Sequence, residues 1–270
     1  MLIDPQWIAA YLMLGVIVGI FAGLLGVGGG GIMVPVLATL FTWQDFPREQ
    51  IVHTALATSM AVIVVTSISS FRAHHAESAV LWPLVWRISP GILGGTFAAT
   101  FIAAQVSSQF LAIFFTGFMI CIAIQMTINA RPKPSRQLPG GFGLTLVGTG
   151  IGGISALVAI GGGVLSVPFM TWCNIPLPKA IGTSAAIGFP IAIAGTLGYL
   201  INGWQVEGMQ GWHLGYIYLP AALLISFVSY LTAPVGARFA HSLPVATVRK
   251  LFAGLLVLLC LKMLHTVFST

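Results

Sequence analysis

Charge of either sign is scarce in this sequence. Only 6% of its 270 residues are Asp, Glu, Lys or Arg, whereas 57% are hydrophobic. A soluble globular protein carries charge on about a quarter of its residues, so a conventional water-facing surface is excluded. At roughly 20 residues a span, the chain has room for about 8–10 membrane segments. The sequence therefore predicts an integral, multi-pass protein whose surroundings are the lipid bilayer.

Carboxylates are missing from the long apolar runs. All five fall at segment ends or in polar connections, namely Asp4, Asp45, Glu49, Glu77 and Glu207. Transporters of cations generally place an ionisable group inside a span, so the distribution argues against a cation as substrate. The 11 basic residues also collect at segment ends. That pattern sets membrane orientation, and it does not indicate binding to nucleic acid.

Cysteine and enzyme motifs are scarce as well. Three cysteines, Cys121, Cys173 and Cys260, lie far apart without CxxC spacing, and we expect them to pack as small hydrophobes. No Walker sequence or nucleophile elbow is present, and the adjacent pair His74 and His75 lacks a third metal ligand. The sequence thus predicts no cofactor, no metal site and no enzyme activity.

A glycine-rich run occurs twice, as GVGGGGIMVP at 26–35 and as AIGGGVLSVP at 159–168. Hydrocarbon cannot satisfy free backbone N–H and C=O groups, so a broken helix at membrane depth must line a protected cavity. Matching breaks in two halves of a chain are typical of substrate sites in transporters. Helices that restart after the glycines would offer unpaired N–H groups and a positive dipole end to an anion.

A polar, proline-rich stretch divides the chain into two similar halves. We predict a first membrane repeat at 1–129, a cytoplasmic linker at 130–140 and a second membrane repeat at 141–270. Each half has a glycine-broken hairpin followed by long apolar segments, expected at about 50–72, 80–104, 108–128, 178–200, 212–236 and 245–267. These runs lack the alternation of membrane barrel strands. The expected fold is all-α, a polytopic transmembrane helical bundle.

The Lys and Arg distribution predicts that the two halves have opposite orientations. The loop at 105–109 has no basic residue, whereas its counterpart at 238–250 has three. Cytoplasmic loops carry the excess of Lys and Arg, so equivalent loops lie on opposite sides. Two inverted-topology repeats follow. The sequence leaves open whether the glycine-broken hairpins are re-entrant or fully spanning, because either choice gives each half an odd number of membrane crossings.

The predicted substrate site combines the glycine breaks with a Thr-Ser pair from each half, because hydroxyl groups donate hydrogen bonds without fixed charge. Its residues are Gly28, Gly29, Gly30, Thr58, Ser59, Gly161, Gly162, Gly163, Thr183 and Ser184. His53 and Lys179 precede the Thr-Ser pairs and are candidates for gating or proton coupling. The alternatives are helix packing for the glycines, bonds to their own helix for the hydroxyls, and a snorkelling anchor for Lys179.

Several motifs recur in order along almost the whole chain. They are the two glycine breaks, each followed by a proline at Pro35 or Pro168, the two Thr-Ser pairs, the stretch 215–220 leading to 233–238, and 241–244 followed by 249–252. In this combination the chain resembles the sulfite exporter TauE/SafE family of membrane transporters, also called the TSUP family. The resemblance implies movement of sulfite, or of sulfur-containing or carboxylated organic anions, across a cytoplasmic membrane without ATP. The first half departs from the second in having four glycines and in His53, so a strictly symmetric site is not expected.

The expected function is secondary active transport of a small organosulfur or related anion by alternating access, coupled to protons, in the inner membrane of a bacterium. Two alternatives stay open at this point. One is an anion channel built on the same repeat, and the other is a membrane-embedded assembly or enzyme subunit that transports no small anion. The exact substrate, the direction, the coupling ion and the oligomeric state, including a homo-oligomer, are also left open.

Overall fold

The computed structural model describes residues 4–26, 28–128, 135–206, 211–242 and 245–269. Within them, the helices in chain order are α1 Pro5–Leu25, α2 Gly30–Trp43, α3 Ile51–Ala76, α4 Trp82–Gln105, α5 Ser108–Ile128, α6 Gly141–Val158, α7 Gly163–Trp172, α8 Leu177–Gly203, α9 Leu219–Ser242 and α10 Val245–Ser269. The all-α prediction is confirmed. Residues 130–134 of the predicted linker lie outside the described residues, and the division into two repeats stays a prediction.

Seven of the described helices are long and apolar enough to cross a membrane, judged by length and composition. They are α1, α3 with the preceding 3-10 turn Arg48–Gln50, α4, α5, α6, α8 and the part of α9 up to Phe239. Large hydrophobic side chains point outward from several of them, for example Phe142 with 87% and Trp86 with 72% of its surface exposed. An outward apolar surface of this kind is what contact with lipid requires.

The two glycine-broken hairpins return to the end of the bundle from which they start. α2 has 14 residues and α7 has 10, both too short to span. At the first hairpin, Gln44 Nε2 donates to Tyr11 Oη at 2.7 Å, which joins the end of α2 to the start of α1. At the second, the backbone N–H groups of Ser135 and Arg136 donate to Trp172 O at 3.2 Å, beside the entry to α6. Each hairpin therefore consists of a helix of spanning length and a shorter helix that returns toward the same end.

Stripes of small residues join the two halves through parallel helix pairs. On α1, glycines contact the backbone of α9 at successive turns, Gly15 at Ile225, Gly19 at Ser229 and Gly23 at Ala233. On α4, they contact α6 in the same way, Gly91 at Thr145 and Gly95 at Thr149. These are the most extensive helix contacts in the described fold, and they confirm a packing role for these glycines.

The long helices α3 and α8 cross the centre of the bundle antiparallel to each other. Met60, early in α3, contacts Gly195, late in α8, whereas Ala79, just after α3, contacts Gly182, early in α8. α4 packs on α8, and α9 packs on α3. Each principal contact between a helix of the first half and a helix of the second therefore has an equivalent in which the two halves exchange roles.

The two ends of the bundle differ in charge. One of them consists of the end of α3, the starts of α4, α6 and α8, and the last turns of α9. We call it the basic end, because it carries Arg72, Arg87, Arg136, Lys179 and Arg238. The basic end also holds Glu77, just after α3. The opposite end holds the start of α1, the end of α2 and the start of α3, with Asp4, Asp45 and Glu49, and its described basic residues are Arg48 and Lys262, which lies over Trp43.

The segment before α9 differs from the expected helix. A short antiparallel hairpin pairs β1, His213–Leu214, with β2, Ile217–Tyr218, in the register of His213 opposite Tyr218. Its turn contains Gly215 with a φ of +58°, a conformation that ends a helix and favours a turn. α9 consequently begins at Leu219 rather than near residue 212.

Candidate functional site

Both glycine runs interrupt a helix, as predicted. The first break separates α1 from α2, and the second separates α6 from α7. Each restarting helix is capped by a glycine with positive φ, +77° at Gly29 and +79° at Gly162, which an L side chain rarely adopts. Each preceding helix ends in a left-handed residue, Gly26 in one case and Ala159 in the other. The two breaks thus share a left-handed residue after the first helix and a glycine of positive φ before the second. They differ between these positions, because Gly28 has a φ of +75° whereas Gly161 is not among the glycines of positive φ.

The breaks touch each other near the middle of α3 and α8. A Cβ on Gly28 would lie 2.7 Å from the Cα of Gly161, and a Cβ on Gly188 of α8 would lie 2.8 Å from the carbonyl oxygen of Gly161. A Cβ on Gly30 would collide with the carbonyl oxygen of Ala159. The close approach of backbone therefore requires glycine, and we call the contact of Gly28, Gly161 and Gly188 the glycine junction.

Backbone donors remain unused at this junction. The N–H groups of Gly28 and Gly161 donate to no acceptor within the part of the chain that the structure describes. α2 and α7 both begin beside it, at Gly30 and Gly163, so two positive dipole ends lie close by. Buried N–H groups without an acceptor are rare and costly, and an anion would satisfy both the free donors and the dipoles.

A small cavity adjoins the glycine junction on the side of the basic end. It measures about 10 Å³ for the centre of a water molecule, which is room for about one water. α3 lines it with Thr66, Ser67 and Ser70. The first two hydroxyls donate to carbonyl groups of their own helix, whereas the buried Ser70 hydroxyl has no hydrogen-bond partner among the described residues. An anion larger than water enters only when the surrounding helices separate.

On the other side of the junction, large apolar side chains fill the space. Ile63 lies 3.3 Å from the Cβ position of Gly28, and Ile187 and Ile191 lie 3.2 Å and 3.1 Å from that of Gly162. These isoleucines and the neighbouring Met60 are fully buried. We call Met60, Ile63, Ile187 and Ile191 the apolar plug, and it closes the junction toward the opposite end.

Thr58 and Thr183 lie at opposite ends of the α3–α8 pair. The backbone N–H of Tyr218 donates to Thr58 Oγ1 at 3.1 Å, and that of Leu81 donates to Thr183 Oγ1 at 3.0 Å. The two donors immediately precede α9 and α4. Each threonine therefore holds the start of a helix from the other half of the chain, and the structure does not bring the two threonines together.

The two serines of the predicted site have different surroundings. Ser184 Oγ lies 2.7 Å from the carbonyl oxygen of Ile181 and 3.4 Å from that of Gly26, so its proton is used locally, beside the first break. Ser59 is fully buried, and its hydroxyl has no partner among the described residues. Ser59 thus retains a donor for a ligand.

His53 lies at the opposite end of the bundle and joins three helices. Its Nε2 is 3.0 Å from the carbonyl oxygen of Ala103, and its Nδ1 is 3.2 Å from Ser108 Oγ, which itself donates to Glu49 O at 2.6 Å. The ring stacks on Tyr216 with 5.3 Å between centroids. The histidine is therefore held where α3, α4 and α5 meet, away from the glycine junction.

Lys179 is exposed at the start of α8, at the basic end. This position is compatible with attraction of anions and with snorkelling to a lipid headgroup. Within the described residues, no group of three His, Cys, Asp or Glu side chains could hold a metal ion.

Sequence reasoning did not single out the hydroxyls that line the small cavity. The signal was nevertheless present, because Thr66, Ser67, Ser69 and Ser70 follow one another in an otherwise apolar run just before Arg72. Such a cluster of hydroxyls is unusual in a membrane-spanning helix unless it faces protein or water.

Comparisons with known proteins extend over almost the whole chain. The profile of the sulfite exporter TauE/SafE family matches residues 11–263. A probable membrane transporter protein of Haemophilus influenzae is 34% identical, covering 93% of this chain and 96% of its own. Probable membrane transporter proteins of Methanocaldococcus jannaschii and Bacillus subtilis are each 26% identical, covering 94% and 95% of this chain and 94% and 97% of their own. No solved structure matches the chain.

Proposed function

Because the chain belongs to the sulfite exporter TauE/SafE family of membrane transporters, we propose that it moves a small organosulfur or related anion by secondary active transport. The anion class comprises sulfite, sulfonates, sulfoacids and carboxylates. The observation that carries the proposal is the glycine junction. Gly28 and Gly161 touch there beside two helix N-termini, and their N–H groups have no acceptor among the described residues.

The polar groups at the junction favour an anion over a cation. The small cavity is lined by hydroxyl groups and glycine backbone, and the four described carboxylates, Asp4, Asp45, Glu49 and Glu77, do not line it. An oxyanion accepts several hydrogen bonds at once, which matches a cluster of N–H and O–H donors. A cation would find only carbonyl and hydroxyl oxygens there, without compensating charge.

In this proposal the predicted site residues divide into two roles. The backbone around Gly28 to Gly30 and Gly161 to Gly163 holds the anion. Ser184 lies beside the first break and would donate to the anion only after it releases Ile181 O, and Ser59 would contribute its unpartnered hydroxyl only after the plug next to it moves. Thr58 and Thr183 hold the starts of α9 and α4 in place, so they fix the geometry of the two halves around the substrate.

In alternating access, the junction would be closed toward one end of the bundle at a time, first toward the opposite end and then toward the basic end. In the described conformation, the apolar plug fills the side toward the opposite end, while small and polar residues border the side toward the basic end. Rocking of one half against the other opens the plug and closes the basic side. By the positive-inside rule we assign the basic end to the cytoplasmic side of a bacterial inner membrane, and Lys179 would attract anions to that mouth. His53 is the candidate for coupling to protons.

The experiment that tests the proposal is uptake into sealed vesicles that contain the purified protein. The panel consists of sulfite, thiosulfate, sulfoacetate, taurine and simple carboxylates, each offered with and without a proton gradient. Accumulation of an anion against its own gradient supports the transporter. Flux that only runs downhill favours an anion channel, and the absence of any flux or ligand-induced thermal stabilisation favours an assembly subunit.

A further inference from the structure

A second, larger cavity lies at the basic end, between the end of α3 and the last turns of α9. It has a volume of about 320 Å³, and its polar lining consists of Ser69, Arg72, Glu77, Tyr230 and Arg238. This volume is at the lower limit of ordinary small-molecule pockets. It therefore has room for an anion that the cavity at the glycine junction does not yet admit.

Both arginines of this cavity are available to a ligand. Neither Arg72 nor Arg238 forms an ion pair within the described ranges of the chain. Arg72 Nη1 donates to Tyr230 Oη at 3.4 Å, a long hydrogen bond. Glu77 lines the same cavity and weakens its positive potential, but it pairs with neither guanidinium. The cavity thus presents two guanidinium groups without an ion-pair partner among the described residues, one carboxylate and the hydroxyl group of Tyr230.

The two cavities border neighbouring residues of α3. Ser69 and Arg72 line the larger cavity, and Ser67 and Ser70, within a turn of them, line the smaller one. The backbone of the two helices is tied here by Ser69 Oγ, which donates to Tyr230 O at 2.6 Å. α3 therefore carries polar side chains from the surface at the basic end to Ser70. Ser67 and Ser69 donate to backbone carbonyl groups, whereas the Ser70 hydroxyl has no partner among the described residues.

We propose that Arg72 and Arg238 form a second anion site, which captures substrate at the basic end before it reaches the glycine junction. The inference rests on the proposed function and adds to it a substrate class, namely anions of net negative charge that present a free sulfonate, sulfite or carboxylate group. A guanidinium donates two parallel hydrogen bonds to such a group. A zwitterion such as taurine carries an ammonium that two arginines repel, so the site selects against it.

The phosphate of an anionic lipid headgroup has the same chemistry, and the experiment separates it from a small anion. Uptake is measured in vesicles of phosphatidylcholine alone and in vesicles that also contain phosphatidylglycerol. In both, the variants R72Q and R238Q raise the KM for sulfite and sulfoacetate about tenfold each, with the maximal rate and the melting temperature unchanged. R72K restores part of the affinity, because it keeps the charge without the planar fork.

Two further variants sharpen the test. R87Q removes an exposed arginine of α4 at the same end that does not line the cavity, and it leaves the KM unchanged. E77Q removes the carboxylate of the cavity and lowers the KM, the opposite sign to the arginine variants, because the local potential becomes more positive.

The outcomes distinguish this inference from the function on which it rests. If the wild-type protein transports no member of the anion panel, the proposed function fails and the capture site with it. If the wild-type protein transports an anion but R72Q and R238Q keep its KM, only the capture site is overturned. If the arginine variants change the KM only when phosphatidylglycerol is present, the cavity belongs to a lipid and the inference is also overturned.

Discussion

Gly28 approaches Gly161 so closely that a Cβ on the first would lie 2.7 Å from the Cα of the second. The two glycines come from breaks in different halves of the chain, and each lies two residues before the start of a helix. Any side chain at this contact pushes the two breaks apart. The contact therefore links the packing of the bundle to the donors that we assign to the substrate.

Replacement of Gly28 by alanine is expected to abolish anion binding and to lower the melting temperature. Its φ of +75° alone costs alanine about 1–2 kcal/mol, and the clash with Gly161 adds to this cost. The measurements are sulfite binding to the purified protein and its thermal unfolding in detergent. The matched control is G94A in α4, where a Cβ meets nothing within 4 Å, so its melting temperature equals or exceeds that of the wild type. Sulfite binding by G28A at wild-type affinity would argue against the site.

Valine at Thr58 or Thr183 is expected to destabilise the protein by about 1–3 kcal/mol, because the N–H of Tyr218 or of Leu81 loses its acceptor. Serine at the same positions keeps the oxygen and restores most of the stability. Thermal unfolding of the four variants checks this prediction. Equal melting temperatures for the valine and serine variants would show that these hydrogen bonds do not hold α9 and α4.

Truncation of Ile63 to alanine is expected to make the junction leak. Its side chain is fully buried in the apolar plug, so its loss opens space between the two breaks and the opposite end. We expect faster passive efflux of preloaded anion and weaker accumulation, with a stability loss of about 2–5 kcal/mol. I113A is the control, because Ile113 lies on the outer surface of α5 with 55% of its side chain exposed. Efflux from I63A vesicles at the wild-type rate would remove the plug from the mechanism.

Substitution of His53 by glutamine is expected to flatten the pH dependence of uptake, because it removes the ionisable ring that we assign to proton coupling. S108A serves for comparison, because it removes the neighbour of Nδ1 but keeps the imidazole. Its pH profile shifts without flattening. A wild-type pH profile for H53Q would assign proton coupling to another group.

The helix breaks could be predicted from the sequence because glycine acts locally. Consecutive glycines weaken a helix locally, and in both runs of this chain the helix ends there. The lengths of the remaining apolar runs then set the bounds of α3, α4 and α5 within a few residues. The hairpin before α9 was not predicted, because residues 212–218 are apolar enough to resemble the start of a span. A single glycine, Gly215, does not by itself indicate a turn in such a run.

The composition of the site could be predicted only in part, because it depends on the direction of helices. In an antiparallel pair, equivalent residues away from the middle lie at opposite ends, and this separates Thr58 from Thr183. Equivalent residues near mid-length can meet, as Gly28 and Gly161 do. The same consideration explains why the cavity is lined by Ser67 and Ser70 of one half only.

The measurement that tests the central claim most directly is anomalous diffraction from crystals grown with selenite, the selenium analogue of sulfite. The account predicts a selenium peak within hydrogen-bonding distance of the backbone nitrogens of Gly28 and Gly161. Crystals that bind selenite elsewhere and leave the glycine junction without a peak would contradict it.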